Sequence, residues 1–306
     1  MENGESNNFL VEGQCYQVSD GPMINLLFFY SFGHKRPFLC VEDFTRSVLG
    51  GFLPISGENA DSIPFGPSMP RCNISDLRLD EAFATLDPSI IREVICAKFH
   101  GRGYEIGAGA RPTCVPMHSQ VEYIDKFTFE EVKFSSLLNN PPDRLVNVSR
   151  YEEMGDLKTI ANLSADFFIA CHVIEHTSNV IKAIEEVMSK IRKGGFLFLV
   201  VPDKRYTFDT DRSTTDLEHF VSEYISGYEH NLEHYLDYAR RAMRVENWVT
   251  TGKANFESGA DAHMHTFTPD SMRELLDFVL QSGIVSRFDV FETGLEFSEF
   301  YAVLEK

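Results

Sequence analysis

The chain has 306 residues, of which 43% are hydrophobic and 24% charged, and a formal net charge of −18. That length suits one large domain or two ordinary ones with ample material for a buried core, and the composition is that of a globular protein. The acidic field repels duplex nucleic acid and anionic lipid, and no Lys/Arg-rich run marks a local exception.

Six cysteines (Cys15, Cys40, Cys72, Cys96, Cys114 and Cys171) form no CxxC pair. The start, MENGESNNFL, is polar and acidic, so reduced thiols and a cytoplasmic location are expected. The greasy run PMINLLFFYSF is shorter than the roughly 20 apolar residues that a membrane span needs, so no membrane insertion is expected.

Along the chain, FLVEGQCYQV, MINLLFFYSF and RPFLCVEDF read as short strands between turns. The Gly/Pro/Ser-rich GGFLPISGENADSIPFGPSMPR reads as a linker. Residues 1–73 are therefore expected to form a small β-rich N-terminal domain that packs or binds a partner. In residues 74–306, LDEAFATLDPSIIREVICAKFHG reads as helical, with Pro88 at the first turn of a second helix. Strand-like and helix-like segments then alternate. RGYEIGAG, VEYIDKF, DRLVNVSRYEEMGDLKTI and ADFFIACHV each supply a strand. The helix NVIKAIEEVMSKIRKGG has one apolar face, with Thr177, Ser178 or Asn179 as its cap and Gly194-Gly195 as its stop. FLFLVVP is apolar on both faces and belongs in the middle of a parallel sheet. TPDSMRELLDFVLQSG, with Pro269 at its first helical position, precedes two strands read as an antiparallel pair. The pattern predicts a doubly wound α/β fold with a mostly parallel sheet, its ligand lying beyond the carboxyl ends of the strands.

The glycine run after the first of these strands, Gly107-Ala108-Gly109-Ala110-Arg111-Pro112, lacks the third glycine of the dinucleotide fingerprint, and no G-K-[ST] follows it. Pro112 removes an amide donor and fills the space where a pyrophosphate would rest, which disfavours NAD, FAD and nucleoside triphosphates. A phosphate-free nucleoside such as S-adenosylmethionine asks for close backbone approach and carboxylates. Glu105 stands two residues before Gly107, and Asp125, twenty residues later, ends the next strand, where a carboxylate can accept both ribose hydroxyls.

The segments YEIGAGARP, VEYIDKF, ADFFIACHVIEHTSNVIKAIEEV and IRKGGFLFLVVPDKRYTFD resemble successive motifs of class I S-adenosylmethionine-dependent methyltransferases, over about Leu86 to Lys306. HVIEH, PDKRYTFD and HMHTFTP resemble a bacterial subgroup associated with surface polysaccharides or small molecules. The resemblance implies a Rossmann-like, seven-stranded sheet closed by the antiparallel pair. It implies S-adenosylmethionine as cofactor, with Glu105, Gly107, Ala108 and Gly109 at its methionine end and Asp125 with Lys126 at its ribose. Asp156 or Glu153 would meet the adenine amino group, with Met154 on the ring, and Cys171 and His172 would border methionine and acceptor.

Between Asp203 and His265 lies an insertion, about 206–262, whose TTDLEHFVSEYISGYEHNLEHYLDYARRAM reads as two helices. It is expected to be either a lid over the acceptor pocket or a homodimer contact. An acceptor hydroxyl must lose a proton, for which His176 and Asp203 are the candidates. Lys204, Arg205, His263 and His265 are candidate acceptor contacts. His172/His176 and His230/His234 are four apart, a spacing that chelates metals on helices, but no metal is assigned. The expected reaction is O-methylation of a small polar acceptor, a sugar or glycan-related metabolite. Two rivals remain: a metal-assisted RNA 2'-O-methyltransferase with an ExxEH-type centre, and a non-catalytic interaction module.

Overall fold

The computed structural model describes the backbone of residues 12–17, 23–29, 38–43, 51–54, 92, 95 and 96. It then describes 99–306 apart from 117–118, 129, 132–144, 228–230 and 293–297. Two units divide the chain, Met1–Lys98 and Phe99–Lys306, where the sequence predicts a boundary at 73/74. The helices predicted from Leu79 lie for the most part outside the described residues.

In the first unit, β1 (Glu12–Gln17), β2 (Met23–Phe29), β3 (Phe38–Asp43) and β4 (Gly51–Pro54) form an antiparallel meander in that order. β4 is a departure, because its residues read as linker. It pairs with β3, setting Leu53 opposite Leu39. Only four residues long, it carries too little alternation to register as a strand on its own.

The second unit holds a seven-stranded mixed sheet. Its strands are β5 (Arg102–Ile106), β6 (Gln120–Asp125), β7 (Val148–Tyr151), β8 (Ala165–Cys171), β9 (Ile191–Pro202), β10 (Arg287–Glu292) and β11 (Glu299–Glu305). They are ordered β10-β11-β9-β8-β5-β6-β7. Neighbours from β7 to β9 are parallel, and β11 runs antiparallel to both β9 and β10. The chain moves outward from β5 to β7 and returns to β8 on the other side of β5. That reversal opens a crevice at the carboxyl ends of β5 and β8, where open α/β sheets bind ligands.

Apolar runs on both faces bury the centres of β8 and β9, with Phe167 to Ala170 and Leu197 to Val201 inaccessible. β5 is sparse in apolar residues for a steric reason. A Cβ at Gly103 would lie 2.1 Å from the Phe167 ring, so only glycine fits between the strands. Tyr104 stacks on Phe168 with ring centroids 5.0 Å apart.

Helix α1 (Val180–Lys190) is capped by Asn179, whose side chain accepts from the Lys182 N–H. Its Ile181, Ile184, Val187 and Met188 pack against Phe168, Leu197 and Leu199. It ends at Lys190, not at the predicted Gly194-Gly195, because Ile191 is already extended and begins β9. The glycines serve the strand instead. Gly194 is left-handed at φ 78°, and a Cβ at Gly195 would sit 2.4 Å from the Asp166 carbonyl.

The insertion contains α2 (Leu217–Ser226), α3 (Leu232–Asp237) continued by a π-helical turn (Tyr238–Ala242), and α4 (Trp248–Ser258). α4 was not predicted; within it only Gly252 is buried, so it offers no apolar stripe to read. Helix α5 (Pro269–Gln281) starts at a Thr268–Ser271 capping box and joins the same core as α1 through Leu275, Leu276 and Val279. Among the described residues no helix is long and apolar enough to cross a membrane.

Candidate functional site

A cavity of about 670 Å³ opens at the carboxyl ends of β5, β6 and β8, within the size range of small-molecule sites. Its floor is the glycine turn. Gly107 and Gly109 are left-handed, at φ 70° and 54°, and a Cβ at Gly109 would meet no atom within 4 Å. Glycine thus both permits the turn and keeps a ligand's space clear.

Asp125, at the end of β6, is buried on the cavity wall, and one carboxylate oxygen accepts the Phe127 N–H at 2.9 Å. Burial, reinforced by the Asp261 carboxylate, pushes its pKa up against the pull of that amide and of Lys126. Met154 and Gly155 line the far end with Glu153 and Asp156, the latter half-exposed and paired to Lys158 at 2.5 Å. Lys126, His172 and His176 complete the predicted residues on the wall.

His172 takes a left-handed backbone at φ 54° just past β8. Its Nε2 lies 2.9 Å from Glu299 and its Nδ1 3.6 Å from Glu175. Burial would lower its pKa, but the two carboxylates outweigh it and hold the ring at about 9. His176 Nδ1 faces Asp261 at 3.1 Å. Burial lowers His176 too, yet Asp261 and Glu175 leave it raised.

Other predicted residues do not line the cavity. Glu105 is buried beneath the turn, where its carboxylate takes the Thr113 N–H at 3.0 Å and the Thr113 hydroxyl at 2.7 Å. Through these bonds it shapes the loop that follows the glycine turn. Ala108 is buried, and Cys171 sits 3.5 Å from the Thr113 hydroxyl. Asp203 caps a short turn and is gripped by Arg205 through contacts of 2.6–3.0 Å. That ion pair also reaches Glu292, while Lys204 binds the Thr210 carbonyl. Asp203 is thus engaged with Arg205 and is not part of the cavity wall.

His263 packs edge-on to His176, ring centroids 4.7 Å apart, and its Nδ1 meets Asp209 at 2.5 Å. His265 is fully buried elsewhere; burial pushes it down to about 4 despite Glu223 beside it. His230 lies outside the described residues.

Several contributors were missed by the sequence reading. The insertion supplies Tyr235, Ala260, Asp261 and Met264 to the cavity wall. Asp261 bridges Lys126, at 2.7 Å, and His176. Glu175 is fully buried, and neither of its carboxylate oxygens has a hydrogen-bond partner among the described residues. Glu175, His176 and His263 offer three ligand atoms within 4.8 Å of one another. A Glu-His pair just past an apolar strand was the available signal; no sequence pattern announces that His263 joins it.

Neither a protein-family model nor a curated protein matches the chain. Among solved structures it is similar to a methyltransferase dependent on S-adenosylmethionine from Mesorhizobium loti, at 12% identity over 68% of this chain and 92% of that one, TM-score 0.39. It is similar to a possible histamine N-methyltransferase from Thermotoga maritima, at 15% identity over 67% and 82%, TM-score 0.37. A third is the CurJ carbon methyltransferase, at 14% identity and TM-score 0.37, covering 74% of this chain and 51% of that one. The chain thus spans about half the CurJ chain. Likeness at this level assigns no substrate.

Proposed function

We propose that the cavity binds S-adenosylmethionine and that the protein transfers its methyl group to a hydroxyl of a small polar acceptor, a sugar or glycan-related metabolite. The observation that carries this reading is the make-up of the wall. Asp125, Glu152, Glu153, Asp156 and Asp261 set five carboxylates against the two ammonium groups of Lys126 and Lys182. Such a wall repels a pyrophosphate and suits a cationic sulfonium beside a ribose diol. The open space at Gly109 and the buried acid at Asp125 fit the methionine and ribose ends, with Met154 left to pack on the adenine.

When bound, the cofactor supplies an electrophilic methyl carbon. Asp125 would hold its ribose and the Gly107–Gly109 turn its methionine end, leaving the methyl group open to an acceptor oxygen on the His176 side. The chain's share is alignment, exclusion of water and custody of the acceptor proton. His176, on the wall between the cofactor end and the insertion, is the proposed proton acceptor. Its raised pKa means that it works as a base only as the pH rises above the ordinary histidine range.

Titration calorimetry with S-adenosylmethionine, then a screen of sugar nucleotides and glycans for release of S-adenosylhomocysteine, tests the proposal. A folded protein that binds no S-adenosylmethionine at micromolar concentrations would end it. A second reading, metal-assisted methyl transfer, is favoured by the Glu175–His176–His263 group at the cavity edge. It predicts turnover that chelators abolish and magnesium restores.

A further inference from the structure

Four side chains from three places in the chain converge at the root of the insertion. His219 and Glu223 sit one turn apart on α2, His234 is on α3, and His265 precedes α5. Their ligand atoms all lie within 4.8 Å of one another. Glu223, His234 and His265 are buried, and His219 is partly so.

The hydrogen bonds behind the rings fix which nitrogens face the centre. His234 Nδ1 donates to the Met264 carbonyl at 2.7 Å, and His265 Nδ1 donates to the Thr177 carbonyl at 3.0 Å. A carbonyl can only accept, so each ring carries its proton on Nδ1, and in the neutral ring Nε2 is a bare lone pair. Those lone pairs point at a carboxylate. His234 Nε2 is 2.7 Å from Glu223 Oε1, and His265 Nε2 is 2.9 Å from Glu223 Oε2. His219 Nε2 lies 3.0 Å from Glu223 Oε1 and 3.4 Å from His234 Nε2.

Lone pairs facing lone pairs at such distances call for a cation between them. For His234 and His265, whose Nδ1 protons are committed, protons would fill that role by making two buried imidazolium ions side by side around one carboxylate. A divalent ion satisfies all four groups at once. Histidines that bind metals regularly donate their other N–H to a carbonyl in this manner. Four ligands at about 2.0–2.1 Å from zinc stand about 3.3 Å apart; the contacts here run from 2.7 to 3.4 Å, and all four ligand atoms lie within 4.8 Å.

We infer that His219, Glu223, His234 and His265 form a zinc site that fastens the insertion to the loop after β8. Three imidazoles and one carboxylate suit a tetrahedral, redox-inactive ion of borderline softness. All four positions are filled by protein, so the ion is structural. Through the Thr177 carbonyl, and through the Met264 and His265 amides on the Glu175 carbonyl, it fixes the segment that walls the cavity.

The test is metal analysis of the full-length protein after dialysis against micromolar zinc, with cobalt substitution as the spectroscopic probe. The expected result is about one zinc per chain, visible absorption of four-coordinate cobalt, and a lower melting temperature after chelation. His219→Ala, at the most exposed ligand, and Glu223→Gln should each weaken zinc binding by more than the roughly 10- to 100-fold that an outer hydrogen-bond partner is worth. His263→Ala should leave binding unchanged. A folded wild-type protein without stoichiometric metal would overturn the inference. So would zinc held at unchanged affinity by folded His219→Ala, or zinc lost in His263→Ala, which places the ion in the Glu175 group.

Discussion

Replacing Asp125 by alanine isolates the contact on which the cofactor assignment rests. One carboxylate oxygen is already committed to the Phe127 N–H at 2.9 Å, so the ligand meets a carboxylate held in a fixed orientation. A hydrogen bond to a charged group contributes about 1–3 kcal/mol. At 1.4 kcal/mol per decade, Asp125→Ala should weaken S-adenosylmethionine binding about 5- to 150-fold. Asp125→Asn keeps an acceptor for Phe127 and should fall between the two. Stability should change little, because losing the acid also relieves the cost of burying it and, to a lesser degree, its repulsion from Asp261, both of which raise the pKa of Asp125. That shift implies that wild-type affinity declines on acidification at pH values above the usual aspartate range. Calorimetry at neutral pH, with melting curves as a check on folding, measures the effect. A folded Asp125→Ala protein with wild-type affinity would refute the placement of the ribose.

Gly109→Val should abolish cofactor binding while costing about 1–2 kcal/mol in stability, the penalty for a side chain in a left-handed conformation; retained binding by calorimetry would contradict the open space assigned to the ligand. His172 is held at about 9, above its unfolded value of about 6.5, so its contribution to stability is full below about 6.5 and disappears as the pH rises to about 9. Denaturant titrations across that window should show wild type losing stability relative to His172→Gln, and a difference that grows with pH would overturn the pairing with Glu175 and Glu299. Asp261→Asn removes the carboxylate that sustains the His176 proton, so the rising limb of the pH–rate profile should move to lower pH; an unmoved limb would remove His176 from the role of base.

The strands at the centre of the sheet were legible because burial on both faces writes an unbroken apolar run, as in β8 and β9. Asp125 was legible because a strand ending in an acid is a local pattern. What escaped depends on residues far apart in sequence. Histidine spacing suggested His230/His234 as a pair, whereas the structure joins His234 to His219, Glu223 and His265. Only His219 and Glu223, four apart on one helix, carried a local signal. The early end of α1 escaped because glycines stop helices often enough to mislead, and here Gly195 answers to a neighbouring strand's carbonyl instead. The fate of Asp203 was set by Arg205, two residues on, whose grip depends on a turn that residue types alone do not specify.

The segment from Asp261 to Thr266 is held by attachments of unequal strength. At one end, Asp261 holds Lys126 with side chains 46% and 33% exposed, a pairing worth about 0–1 kcal/mol. At the other, the Arg212 side chain, 3% exposed, binds Asp209, Asp237 and the carbonyls of His263 and Met264. Removing one partner from such a buried network costs about 3–5 kcal/mol. Even with its second contact, to His176 at 3.1 Å, Asp261 is therefore the weaker attachment of the segment and the Arg212 network the stronger. Asp261 thus joins the more exposed contact, to Lys126, to the His176 ring that is the proposed base.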